Sequence, residues 1–464
     1  MALTQGQTST RIDAKSRRIG GQRHSEESSG ERLAQQALEA AVWGMPIVSF
    51  EAMRRAFFAA GGNYGDFVYC SRPADWKFQI TSPNASSLYV YFNFNTKSAP
   101  ILLDVPPAEG AGLYGSINDA WQIPLADFGP EGEDKGKGGK YVILPPGYKD
   151  AVPFGVIAVR TDSYNGYGLL RIIPASSSEA DRMKALALIK RLRLYPAAQW
   201  ANPPRAKSID IAGKLFDGIA RMDDTFFDSL AMMVNEETAQ THDTHSLELL
   251  RSIGIEKGKP FKPNSALRAT LRQATSEALA YFIDATTDVT PYWPESQWGT
   301  SSFLAPGVQS GFRYDSGGVL DIDARGAMFF FACAPPKRLG AASFYLAGPR
   351  DAAGAFLDGG TAYRLRVPPN VPARQFWAVT VYDLETASFL RGTPNVEVNS
   401  YQDIQRAADG SVDVFFGPNA PLGRHSNWIY TAPGRQWIAM FRFYGPQKAL
   451  HDKTWRLPDI ERIA

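Results

Sequence analysis

Beyond about residue 62 the spacing of apolar residues changes period twice, and those two changes limit the folds open to the chain. Between about residues 62 and 178, and again beyond about residue 292, short apolar runs alternate with period two and are punctuated by Gly, Pro and Asp. The first block holds LYVYFNFN (88–95), PILLDVP (100–106), YVILPP (141–146) and GVIAVR (155–160). The second holds TAYRLRV (361–367), QFWAVTVYD (375–383), SVDVFFGP (411–418), NWIYTAP (427–433) and QWIAMFRFYGP (436–446). Runs of this length and alternation read as strands. Between the blocks the period is helical, over 179–192, 211–234, 245–254 and 265–285. Strands, then helices, then strands, with no regular βαβ alternation, predict an α+β protein. The expectation is two antiparallel β-sandwich-like domains with a helical N-terminal segment and a helical connecting segment. A tail would occupy 1–30, the N-terminal helices and first β domain 31–177, the helical connector 178–290 and the second β-sandwich domain 291–464.

Finer readings follow the same rules. Helical spacing over 31–60 is interrupted at Gly44 and Pro46, which predicts two helices with a kink. GAMFFFACA (326–334) reads as a further strand, EGEDKGKGGK (131–140) as an exposed hairpin loop and Asp409-Gly410 as a hairpin turn. In 436–446, Trp437, Ala439, Phe441 and Phe443 share one strand face, and Ile438, Met440, Arg442 and Tyr444 the other. An arginine on a partly apolar face demands compensation, so an acidic neighbour, a ligand anion or solvent has to meet Arg442.

Several function classes drop out. Hydrophobic residues at 44% and charged residues at 21% describe a folded chain. A net charge of +2 over 464 residues, without a run of five or more like charges, argues against nucleic acid or an anionic membrane as partner. No apolar window is long enough to span a bilayer. Residues 1–34 are polar and lack the apolar core of a cleavable signal, which predicts a cytoplasmic protein as written. Two cysteines, Cys70 and Cys333, build neither a disulfide framework nor a four-cysteine zinc site and read as buried thiols. His24, His242, His245, His425 and His451 offer one close pair, His242 and His245, without HExxH spacing. No metal site and no cofactor are expected, with a calcium held by scattered oxygens left open.

FWAVTVYDLETASFLRGTP (376–394), residues 409–446 and DKTWRLPDIE (452–461) closely resemble the bacterial family called domain of unknown function 1214. WGMPIVSFEAMRRA (43–56), TSPNASSLYV (81–90), ILLDVP (101–106) and YVILPPGY (141–148) resemble its usual companion, domain of unknown function 1254. The resemblance implies two β-rich domains with helices between or around them, in a family whose members usually carry an export signal. It also marks a departure: where the family typically reads Pro-Asn-Asn-Asp-Thr, this chain reads Pro83-Asn84-Ala85-Ser86-Ser87. Any role of the family's aspartate as ligand or base does not carry over.

Polar residues crowd the second-domain motifs, and the commonest use of each is structural: Asp413 pairing with an arginine across strands, Asn427 tying a loop. A sharper expectation takes Arg391 and Arg442 as an anion clamp, with Tyr382 or His425 supplying a proton. Asn84, Ser86, Trp121, Trp377, Asn427 and Tyr444 are the candidate substrate contacts, tryptophans at loop ends being platforms for sugars or aromatic rings. Asn118 and Asp119 belong to the same first-domain set. Together these predict an enzyme of hydrolase or lyase type, acting by acid/base chemistry on a small polar-aromatic or carbohydrate-like molecule in a cleft between the β domains. The alternative is a non-catalytic glycan- or protein-binding protein using an aromatic sheet surface. A homo-oligomer is expected in either case.

Overall fold

The period-two runs form strands because their apolar faces close on one another. A computed structural model describes residues 29–176, 178–238, 243–338 and 343–463. His24, His242 and the tail up to residue 28 lie outside the described residues. Helix takes 27% and strand 29%, an α+β architecture of several mostly antiparallel sheets. The helices are α1 (Ser29–Ala59), α2 (Glu179–Ile189), α3 (Thr225–Glu236), α4 (Thr244–Ser252), α5 (Ser265–Thr287), α6 (Leu304–Gln309), α7 (Ile322–Phe331) and α8 (Lys448–His451).

The first sandwich stacks a six-stranded sheet on a four-stranded one. In spatial order the larger sheet holds Ser208–Asp210, Phe67–Tyr69, Leu88–Asn95, Asn165–Pro174, Ala111–Asp119 and Pro124–Phe128. The smaller holds Arg193–Pro196, Ile101–Val105, Gly139–Leu144 and Ile157–Arg160. Val90, Phe92, Leu170 and Ile172 of one meet Leu103, Tyr141 and Ile143 of the other, closed by Leu188 of α2. Each such side chain contributes about 1.5–3 kcal/mol by leaving water. The second sandwich repeats the plan. Its six strands are Val289–Pro291, Gly299–Ser301, Ser343–Gly348, Trp437–Pro446, Ala373–Asp383 and Glu397–Asn399, and its four are Trp428–Tyr430, Val412–Gly417, Tyr363–Val367 and Glu461–Arg462. Phe441, Phe443 and Val379 pack there against Leu365, Val414 and Phe416.

A third apolar cluster joins the helices to the outer faces of both large sheets, running from α1 through Tyr91 and Tyr167 to Tyr382 and Met440. This cluster explains the first correction. The 31–60 segment is one helix and does not stop at Pro46. Every residue from Ala40 to Arg54 is buried, and that burial outweighs the roughly 3 kcal/mol that an interior proline costs. The proline leaves the Val42 carbonyl without its usual donor four residues on, and α7 packs there so closely that a Cβ on Gly326 would lie 2.8 Å from that carbonyl; Gln122 Nε2 donates to the Pro46 carbonyl at 2.9 Å.

Further corrections have related causes. Residues 326–334 are not a strand, because Ile322–Phe331 is helical, capped by Asp321, which accepts the Ala324 N–H at 3.0 Å. Arg325 to Phe331 are all buried, and a segment buried on every side has no period to reveal its type. Of the helix expected over 211–234, only Thr225–Glu236 forms; Phe216–Asp217 instead pairs in parallel with Phe78–Gln79. With Arg193–Pro196 and Ser208–Asp210, the chain keeps adding to first-domain sheets well past residue 178. Residues 131–140 turn no hairpin but cross from one sheet to the other, organised by Asp134, which accepts the N–H of Gly129 at 2.9 Å and of Gly138 at 3.2 Å. The turn at Asp409-Gly410 forms, with Gly410 at φ +81°, but it leads into Val412–Gly417 without a strand paired across it.

Candidate functional site

Strand register fixes what the outer face of the second large sheet presents. Phe376 lies opposite Tyr444, Ala378 opposite Arg442, Thr380 opposite Met440 and Tyr382 opposite Ile438. Tyr345 flanks Arg442 on the other side, and Glu397 flanks Thr380. Directly opposed residues share a face, so Arg442, Tyr444, Tyr382, Thr380, Glu397 and Tyr345 form one polar field, turned away from the core that holds Phe441 and Val379. The first domain covers this field with residues 82–87.

Arg442 is 2% exposed, and its Nη1 and Nη2 are bonded to neutral groups. Its Nη1 donates to Thr380 Oγ1 at 2.6 Å; its Nη2 donates to the Tyr382 hydroxyl and to the carbonyls of Ser82, at 3.3 Å, and Pro83, at 3.5 Å. The Tyr382 hydroxyl donates in turn to the Pro83 carbonyl. The counter-charge is one step away. Thr380 Oγ1 donates to Glu397 Oε2 at 2.9 Å, and the same oxygen accepts the Ala85 N–H at 3.2 Å. Asn399 Nδ2 holds Oε1 at 3.0 Å. Arg442 is thus compensated through a threonine hydroxyl by an acid on the neighbouring strand. Burial pulls the Arg442 guanidinium down, but Tyr382, Tyr444, Tyr345 and Glu397 together raise it above the usual arginine range. Burial pushes the Tyr382 and Tyr444 phenols up, against the pull of Arg442, so both are neutral at physiological pH.

The covering loop is built from local bonds. Asn84 Oδ1 accepts the N–H of Ser86 and Ser87, each at 3.1 Å, and the Ser87 hydroxyl at 2.8 Å. Its own N–H donates to the Tyr89 hydroxyl at 2.9 Å. Ser82 enters with φ +41° and donates its N–H to the carbonyl of Ala387, itself at φ +51°. Two non-glycine residues in the left-handed region, bonded to each other across the domain boundary, store strain of about 1–3 kcal/mol each. Within this network two buried hydroxyls have no hydrogen-bond partner, Tyr444 Oη and Ser86 Oγ, and at its margin Thr81 Oγ1 and Ser388 Oγ have none either. Beside them an aromatic stack climbs to the surface, from Tyr444 to Phe376 at 4.0 Å between centroids, and on to Tyr401 at 4.5 Å. Tyr401 is 58% exposed. A surface hollow of about 520 Å³, lined by Arg374 and residues 445–449, begins one residue past Tyr444.

Five of the ten candidate residues therefore meet here: Asn84, Ser86, Tyr382, Arg442 and Tyr444. The other five do not. Arg391 is exposed, and its Nη2 donates to both Asp217 carboxylate oxygens at 2.9 Å, so it forms no clamp with Arg442. His425 is exposed in a 3-10 turn, edge-on to Trp428, and supplies no proton to this field. Tyr382, one of the five that do meet, spends its proton on the Pro83 carbonyl. Trp377 stacks on Phe441 in the opposite, core face. Asn427 is buried and ties its loop, donating to the Gln405 and Asp413 carbonyls at 2.9 Å. Trp121 packs edge-on against Trp43 in the apolar cluster that joins the helices to the sheets. Trp293 and Trp298 are also buried, so neither offers an exposed platform; Trp200, 38% exposed, lies apart from this field beside Lys140. Thr380, Glu397, Tyr345 and Tyr89 went unread. The period-two rule pointed to Thr380, two residues before Tyr382 on the same face; Glu397 lies in a three-residue strand too short to show a period. Among the described residues no group of three or more His, Cys, Asp or Glu side chains is placed to hold a metal. No helix among them is long and apolar enough to cross a membrane.

Residues 65–196 match the model of a protein of unknown function (DUF1254), and residues 342–448 that of a protein of unknown function (DUF1214). No curated protein matches the sequence. The fold is similar to that of the VPA0106 protein from Vibrio parahaemolyticus, with a TM-score of 0.53 at 18% identity over 93% of this chain and 100% of that one. An uncharacterised protein from Burkholderia cenocepacia aligns with a TM-score of 0.42 at 14% identity, over 94% and 93% of the two chains. The seam described above joins the two matched regions, and the chain belongs to the two-domain family of unknown function in which a DUF1254 region precedes a DUF1214 region.

Proposed function

We propose that the protein is an enzyme of hydrolase or lyase type that takes a small polar-aromatic or carbohydrate-like molecule at the seam between its two β domains. One observation carries the reading: Tyr444 Oη and Ser86 Oγ are buried without partners beside a buried arginine. Buried hydroxyls normally find a partner, and leaving one unmade costs about 1–3 kcal/mol. A substrate oxygen would satisfy both. Tyr444 then replaces Tyr382 and His425 as the proton donor. As a neutral phenol it can give a proton to a leaving group, and the neighbouring Arg442 charge stabilises the phenolate left behind. Glu397 keeps that charge in place through Thr380. The stack of Tyr401, Phe376 and Tyr444 offers ring faces to a sugar or aromatic ring on its way in. The test is incubation of the protein with a library of glycosides, esters and hydroxy acids, followed by mass spectrometry. Turnover of one of them that falls at least 100-fold in Tyr444→Phe supports the reading; equal turnover by the variant refutes the assignment.

A second reading has its own support. Nη2 of Arg442 and the Tyr382 proton are both spent on the carbonyls of Ser82 and Pro83, as a contact whose task is to lock two domains together would spend them. On that reading the protein binds a glycan or another subunit without chemistry. It is supported by a ligand that co-purifies and is released unchanged on denaturation, or by sedimentation as an oligomer at micromolar concentration.

A further inference from the structure

We propose that Arg325 and Trp121, where α1, α7 and the turn at 119–123 meet, form a second and enclosed site that binds a small carboxylate the size of formate or acetate. Arg325 is 1% exposed and makes one hydrogen bond, from Nη2 to the Trp43 carbonyl at 3.2 Å. Its Nε–H is buried without a partner. The guanidinium lies 5.0 Å from the centre of the Trp121 ring, whose own Nε1–H is also buried without a partner. Two neighbouring donors, one of them charged, thus point at no acceptor.

Arginine does not escape such a position by losing its proton. Burial pulls the guanidinium down and the charges of Asp243 and Asp119 raise it against that burial, supplying part of the compensation, while the Arg325 Nε–H and the Trp121 Nε1–H keep no acceptor. Asp243 accepts the Trp43 Nε1–H at 3.1 Å. Asp119 is 3% exposed, and its Oδ1 accepts the N–H of Trp121 and of Ile123, each at 2.9 Å. Burial pushes the Asp119 carboxyl up to about 7, against the backbone N–H of Ile123 and Trp121 and the Arg313 charge, so near neutral pH it carries only part of a negative charge. A carboxylate is the ligand chemistry that fits: two oxygens on one plane accept from a charged N–H and a neutral N–H together. Water matches less well, since its own two hydrogens would need acceptors between indole faces. Trp43 and Trp121, 4.8 Å apart between centroids at 61°, wall the site with apolar rings, which favours one charge over the several of a phosphate.

The experiment titrates full-length protein, dialysed free of organic acids, with sodium formate and sodium acetate against sodium chloride at equal ionic strength, reading tryptophan fluorescence and melting temperature. The expected result is a saturable response to the carboxylates and none to chloride. Trp121→Phe, which keeps a ring and deletes the N–H, should bind formate at least tenfold more weakly. Arg325→Gln should abolish the response; should that variant fail to fold, Trp121→Phe decides alone. An equal response to chloride, unchanged formate affinity in Trp121→Phe, or a crystal grown in formate with water alone between Arg325 and Trp121 would overturn the proposal.

Discussion

Asp119→Asn should make this protein more stable, and the gain should depend on pH. A carboxyl with its pKa raised from 3.8 to about 7 keeps its proton in the folded state while the unfolded chain has already lost it. For an acid shifted upward the penalty is absent below the unfolded value, grows as pH rises, and is complete above the folded value. Its full size is about 4 kcal/mol, at 1.36 kcal/mol for each pH unit between the two values. By pH 5 about 1.7 kcal/mol of it is already present, and between pH 5 and pH 8 a further 2–3 kcal/mol appears. Asparagine retains an oxygen to accept the N–H of Trp121 and Ile123, the two bonds made by Oδ1, and it does not titrate. Urea unfolding of wild type and variant, followed by tryptophan fluorescence at pH 5, 6, 7 and 8, measures the difference directly. The variant should gain on the wild type by about 2–3 kcal/mol across that range. A difference that stays constant from pH 5 to pH 8 would show that Asp119 is an ordinary ionised carboxylate and that the reasoning about its burial is wrong.

Three other outcomes follow from the seam. Arg442→Met should cost about 3–5 kcal/mol, because Glu397 stays buried without its cation, and should expose residues 82–87 to limited proteolysis; a loss under 1 kcal/mol would mean that Arg442 does not hold the domains together. Tyr444→Phe removes a buried hydroxyl that has no partner, so the protein should keep its stability or gain about 1 kcal/mol while losing its turnover; a clear loss in urea unfolding would reveal a hydrogen bond this account lacks. Arg391→Ala deletes an ion pair whose side chains are 47% and 44% exposed, so its effect on the urea midpoint should correspond to less than about 1 kcal/mol, with turnover unchanged.

What could be read in the residues was whatever depends on local order. Trp437, Ala439, Phe441 and Phe443 do fill one core face while Arg442 and Tyr444 take the other, because a strand's alternation is set by backbone geometry alone. The demand that Arg442 find compensation was equally visible, as were the Arg366–Asp413 pair, at 3.8 Å, and the loop tied by Asn427. Both cysteines are buried thiols, as their number and spacing implied.

Pairing in space was not visible, and the misreadings share that origin. Arg391 and Arg442 are equivalent in sequence as candidate anion ligands, yet one meets Asp217 from 174 residues away and the other meets the carbonyls of Ser82 and Pro83 from about 360. No local rule separates them, since which carboxylate or carbonyl an arginine reaches is decided by domain docking. Pro46 and the apolar run around Phe330 show the same limit for secondary structure: local propensities are worth a few kcal/mol at most, and burial from every side overrides them. The sequence by itself determined the alternating strands such as Trp437–Pro446, their faces and the class of fold, because these follow from periodicities built into the chain. The tertiary structure alone decided where the two domains meet and which hydroxyls were left there without a partner, because those depend on contacts between residues hundreds of positions apart.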